Sequence, residues 1–282
     1  MARTRKDTGA LKFGAVVLSA TIWTAPGWSQ SGAPAAVSSM PAPFSRDCQI
    51  GETSIINQSP LPNVASALKE RKQIKILTIG ASSSIGRRAA RGGYAEQIRD
   101  ILKQAVKGID VVMVNRGVSG ELAANAAERI RTEVALTEPD LVLWQVGTND
   151  ALSYIPLERI ETAVVDTVRW LKEHKVDVVL AGLQYTDRMK QDEHYREVRE
   201  LMRKIAAQEN VIIVRRYEAQ RLMAQAAASG GGLEPDEFQR SEAGYACLAQ
   251  YMARAITLGI FAPTLRPREL QRPPQPPAEQ PK

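Results

Sequence analysis

The chain has 282 residues, enough for one sizeable α/β domain or at most two small ones. Its 44% hydrophobic and 24% charged residues are ordinary for a globular protein. The formal charge of +6 sits mostly at the ends, net +3 in residues 1–29 and net +2 from Thr264 onward, so it gives no argument for a nucleic-acid partner.

At the start, Arg3, Arg5, Lys6 and Lys12 precede an apolar run over residues 13–25, followed by Pro26-Gly27-Trp28-Ser29. Basic, then apolar, then small is the order of a secretory signal peptide, with cleavage expected near Ser29 and a secreted or periplasmic location for the product. The run is short of the roughly 20 residues a membrane span needs, so no span is expected in the mature protein. An uncleaved N-terminal anchor is the alternative. Residues 30–73 read as a leader wrapping the domain that follows.

From Ile74 the chain alternates apolar runs with amphipathic stretches. The runs 74–79, 111–114, 141–146, 176–183 and 211–214 are rich in β-branched residues and apolar almost throughout, the mark of parallel strands buried on both faces. Helical patterns occupy 94–106, 121–137, 157–174, 194–208, about 218–228 and 241–258. This alternation predicts a single α/β domain over 74–262, with three layers and a five-stranded parallel sheet. Residues 263–282, rich in Pro and Gln, cannot build a core and read as a disordered tail.

Two cysteines occur, Cys48 and Cys247. In an oxidising compartment they could pair, tying the segment before the first strand to the last helix. Two separate thiols, with Cys247 packed in the core, remain the other reading, because spacing in sequence does not fix distance in space.

In an open parallel sheet, ligands bind beyond the C-terminal ends of the strands, so the residues just after each strand carry the functional information. After the first comes Gly80-Ala81-Ser82-Ser83-Ser84-Ile85-Gly86. It nearly matches a dinucleotide-binding loop, but Ser84 stands where close approach to a pyrophosphate needs glycine. None of the seven tyrosines has a lysine four residues on, as a short-chain dehydrogenase requires: Tyr185 is followed by Met189 and Tyr195 by Arg199. A serine on a strand-to-helix turn can instead be a nucleophile whose own N–H serves an oxyanion. Gly120 follows the second strand and offers a backbone N–H. Asn149, after the third, offers a side-chain amide. Three donors converging on one serine would stabilise a tetrahedral oxyanion.

With these blocks in order, and with Asp236 through Tyr245 as a last one, the chain resembles the SGNH/GDSL hydrolases over roughly residues 74–258. The resemblance implies a flavodoxin-like three-layer fold and an ester substrate, either a small molecule or a glycan, with no metal and no cofactor. It implies Ser82 as nucleophile and Ser82, Gly120 and Asn149 as oxyanion donors. Asp236 would orient the base. Two positions depart from the family's pattern. Ala81 replaces the usual aspartate before the nucleophile, a group that does not react. Gln239, three residues after Asp236, stands where the family has its histidine, the register being anchored by Gly244-Tyr245 at the opening of the last helix. Glutamine forms hydrogen bonds but cannot carry a proton near neutral pH.

The chain has two histidines. His174 is expected at the end of the sheet opposite the site, and His194 on the helix after the fourth strand, reaching the rim only if residues 186–193 fold inward. The expectation is that both are solvated surface residues. Asp236 or Glu237 would be the other proton acceptors, directly or through water. Two functions follow: an exported ester hydrolase with an impaired or altered base, or a non-catalytic relative binding an acylated or glycan ligand in the same cleft. Neither the substrate nor the oligomeric state is written in these motifs.

Overall fold

Each of the five apolar runs forms a strand in the computed structural model, which describes residues 48, 56–57, 59–80, 93–229, 237 and 241–262. The strands are β1 (Gln73–Gly80), β2 (Asp110–Gly117), β3 (Leu141–Gln145), β4 (Asp177–Ala181) and β5 (Ile212–Val214). They form one parallel sheet in the order β2-β1-β3-β4-β5. The order reverses between β1 and β3, and that switch point is where such a sheet opens a crevice for a ligand. All described residues belong to one unit, Ser39–Lys282; the other unit, Met1–Ser38, lies outside them.

Alternation along β1 explains the layers. Ile74 and Ile76 face one core and Leu77 and Ile79 the other, all four fully buried. The first core takes α1 (Pro62–Arg71), α2 (Tyr94–Ala105) and α8 (Glu242–Phe261); the second takes α3 (Ala123–Thr137), α5 (Leu157–Glu173) and α6 (Glu193–Gln208). The short α4 (Thr148–Leu152) follows β3 directly, and α7 (Arg216–Ser229) follows β5. This is the predicted three-layer α/β fold, with shorter strands at β4 and β5 and a later start to α3.

The segment before the sheet holds more structure than the sequence reading gave it. It contains α1, opened by Pro62, whose missing N–H costs nothing at a helix start. The Asp177 carboxylate accepts from the Val64 N–H at 2.9 Å and from Asn63 Nδ2 at 2.8 Å, so β4 caps α1 from across the domain. Asn57 clasps β5, donating to the Val211 carbonyl at 2.9 Å and accepting from the Ile213 N–H at 2.6 Å. Leu61 donates its N–H to Gly259 in α8 at 2.9 Å. Cys48 and Cys247 are joined in a disulfide, which resolves the alternative left open by their spacing. Among the described residues, no helix is long and apolar enough to cross a membrane.

Candidate active site

The C-terminal strand ends are stitched together by hydrogen bonds between the loops that the motifs occupy. Gly80 closes β1 at φ +153°, and a Cβ there would sit 2.6 Å from Cβ of Gln145, so the first block can begin only with glycine against β3. Its carbonyl accepts from the Val118 N–H at 2.7 Å, binding the end of β1 to the loop after β2. Within that loop Gly120 turns at φ +76°. Glu121 beside it is held by a two-pronged ion pair with Arg129 of α3, at 2.7 and 2.6 Å.

The third block completes the arrangement. Gly147 turns the chain at φ +96° into α4, where a side chain would meet Leu183 at 2.7 Å. Asn149 then donates its Nδ2 to the carbonyl of Glu121 at 2.9 Å. An amide nitrogen carries two hydrogens, so Asn149 keeps a second donor beyond this tie. Asp150, buried, accepts the Ala123 N–H at 2.8 Å and so caps α3 from α4. Burial raises its carboxyl above the usual range, against the lowering pull of the backbone N–H groups around it.

These loops border a cavity of about 560 Å³, within the usual size of a small-molecule site. Gly120 and Asn149, two of the residues singled out in the sequence, both line it. Ser82, Asp236 and Gln239, the other three predicted site residues, lie outside the described residues. Glu237, the remaining proton-acceptor candidate, is exposed.

The cavity also contains residues the sequence reading missed. Gln145 accepts from the Tyr94 hydroxyl at 3.0 Å. Thr148 accepts the Gln184 N–H at 3.0 Å, and the Gln184 carbonyl takes the Tyr195 hydroxyl at 2.5 Å. Burial pushes the Tyr195 hydroxyl up to about 12, so it remains a donor at any working pH. Gln184 in turn accepts from Arg216 at 3.2 Å. Arg216 is 1% exposed, and burial pulls its guanidinium below its ordinary value. Leu152, Tyr154, Thr186, Arg188 and Met189 also line the cavity.

This lining bears on the histidines. His174 stacks on Trp170 and its Nδ1 lies 2.7 Å from the Trp170 carbonyl, on the exposed end of α5. The loop after β4 does border the cavity, through Thr186, Arg188 and Met189. His194 does not line it. The ring stacks against Tyr154, with centroids 5.4 Å apart, and its side chain is only 17% exposed. So the expectation of a solvated His194 is corrected: it is a packed support beneath the rim. Among the described residues, no group of His, Cys, Asp or Glu side chains is arranged to hold a metal ion.

Comparison with known proteins agrees with this architecture. The family model described as "Non-GDSL lipase-like family" matches residues 47–261. The chain belongs to that family. Its place among the SGNH/GDSL hydrolases follows, and the family is one of esterase- and lipase-type hydrolases. The chain is similar to an arylesterase of Vibrio mimicus, 28% identical over 107 residues, which are 38% of this chain and 52% of the relative. It thus spans about half the length of that curated relative. Among solved structures it is similar to an acetylxylan esterase from Geobacillus stearothermophilus, at 25% identity and TM-score 0.51, over 65% of this chain and 94% of that one. It is similar in fold to the acetyl xylan esterase AlAXEase, at 20% identity and TM-score 0.54, over 65% of this chain and all of the other. The non-GDSL description fits Ala81, which breaks the Gly-Asp-Ser-Leu pattern at its second position.

Proposed function

We propose that the protein is an exported hydrolase of carboxylic or carbohydrate O-acyl esters, with Ser82 as nucleophile and an impaired general base. The observation that carries this reading is the tie from Asn149 Nδ2 to the Glu121 carbonyl at the cavity that Gly120 also lines. It ties Asn149 of the third block to the residue next to Gly120 of the second. In sequence Ser82 follows Gly80 by two residues, and the Gly80 carbonyl accepts from the Val118 N–H of the loop that carries Gly120.

In this mechanism the Ser82 Oγ bonds to the acyl carbon while its proton passes to a base. The carbonyl oxygen becomes an oxyanion facing the N–H groups of Ser82 and Gly120 and the free hydrogen of Asn149. Collapse expels the alcohol, which takes up the proton, and water then cleaves the acyl-serine by the same steps. The role of base would fall to residue 239, oriented by Asp236, and Gln239 cannot fill it. Removing the base of a serine triad costs on the order of 10⁶ in kcat, while the oxyanion hole and binding still give about 10³–10⁴ over water. Gln239 therefore favours a second reading as well: a binding protein that keeps the cleft and has lost turnover. The basic and apolar residues before Ser29 support export in either case.

Turnover of 4-nitrophenyl acetate by the unaltered protein, by Ser82→Ala and by Gln239→His separates the two. Activity in the unaltered protein that vanishes in Ser82→Ala supports hydrolysis with another base. Activity appearing only in Gln239→His identifies a disabled site. A folded but inert Gln239→His overturns this assignment of the triad.

A further inference from the structure

The lining of the cavity carries a feature that the hydrolytic chemistry does not use. Tyr154 is 61% exposed, yet it is fixed on three sides. Its hydroxyl donates to Asp192 Oδ2 at 2.6 Å, and Asp192 is itself held as the N-cap of α6 by the Tyr195 N–H at 2.8 Å. One ring face lies on His194, nearly parallel at 20°. The backbone adopts φ +50°, a left-handed turn where glycine or asparagine would be unstrained. A large aromatic held in a strained turn, with one face packed and the other open beside a ligand cavity, is a rigid surface.

The neighbouring groups decide what that surface suits. Around it the cavity presents hydrogen-bonding side chains, including Ser119, Gln184, Thr186 and Arg188, beside an apolar surface of similar extent to which Leu152 and Met189 belong. Arg188 is exposed at the cavity, and among the described residues its guanidinium has no ion-pair or hydrogen-bond partner. A long acyl chain would strip these polar groups of water without replacing their hydrogen bonds. A polyhydroxylated ring would satisfy them while laying its C–H face on the aromatic. We infer that Tyr154, clamped between His194 and Asp192, is the stacking ledge for the pyranose ring of a carbohydrate ester. This rests on the reading that the cavity receives an ester substrate.

The test is binding, kept apart from turnover by a Ser82→Ala background. NMR titrations compare methyl 3-O-acetyl-β-D-xylopyranoside, which has the ring, glycerol monoacetate, which has hydroxyls and no ring, and phenyl acetate, which has an aromatic ring. The ring-removing variant is Tyr154→Asn, because asparagine tolerates the left-handed turn. The expected result is a pyranoside affinity weakened about five- to tenfold, with glycerol monoacetate unchanged within about twofold. The ledge is overturned if the pyranoside does not bind, if its affinity ignores Tyr154→Asn, or if all three ligands weaken together. Dependence on Tyr154 for phenyl acetate alone replaces the sugar with an aryl group and overturns it too. Ring-dependent binding without turnover in Gln239→His removes the hydrolase reading and leaves the ledge standing.

Discussion

Asn149 spends one of its two amide hydrogens on the carbonyl of Glu121, 2.9 Å away, and so fixes the direction of the other. The loop it grips is itself anchored by the Glu121–Arg129 pair. On the proposed mechanism, a donor held this way would meet the developing oxyanion without reorganising. In a Gln239→His background, Asn149→Ala is expected to lower kcat by about 10²–10³ with a much smaller change in KM. Steady-state kinetics check this, and an equal loss in Arg129→Ala would shift the credit to the loop.

Asp150 joins α4 to α3 through the Ala123 N–H. Asp150→Ala leaves that N–H buried and unpaired and is expected to cost about 1–3 kcal/mol. Asp150→Asn keeps an acceptor oxygen of the same reach and should lose clearly less. Urea unfolding of the two variants gives the comparison directly.

The cap of α1 has a pH signature. Burial raises the Asp177 carboxyl to about 6, and Val64 and Asn63 oppose that shift without cancelling it. Because the folded value lies above the unfolded one, the folded state binds more protons between about pH 4 and 6. The associated stability is complete below pH 4 and is lost as pH rises through 6, an amount on the order of 3 kcal/mol. Stability measured at pH 5 and pH 7 should show somewhat under half of this fall in the native protein, on the order of 1 kcal/mol, and Asp177→Asn should flatten it.

The disulfide closes a loop across 199 positions of sequence. Removing it by Cys48→Ser with Cys247→Ser is expected to cost about 2–5 kcal/mol, mainly by releasing the unfolded chain. Guanidinium midpoints of the oxidised protein and the double variant measure the difference.

The strands were legible because a parallel strand buried on both faces leaves an unbroken apolar run, as in Leu141-Val142-Leu143-Trp144, all fully buried. Gly120 and Asn149 were legible because the ends of such strands have a fixed relation to the ligand crevice. The helix at Pro62–Arg71 was not, since its cap comes from Asp177, more than a hundred residues away. Nor was the Tyr154 wall. Its form depends on Asp192 and His194, at the start of α6, meeting Tyr154 just past α4, and no local periodicity encodes that meeting. Gln184 stands three residues after β4, but nothing in the residues beside it in sequence marks it as cavity-lining.

Cys48, Asn57 and Leu61 stand among the first described residues, and their partners are Cys247, β5 and Gly259. During synthesis the early half of each pair is made long before the late half. The strands β1 to β4 can associate as they emerge, but the clasp over β5 and α8 has to wait for almost the whole domain. A chain halted before α8 would carry an unclosed first core, exposing the apolar sides of α1 and α2. Among the described residues α8 is thus the final piece of the first core, and truncations inside it should be caught by proteases while cuts beyond Phe261 are tolerated.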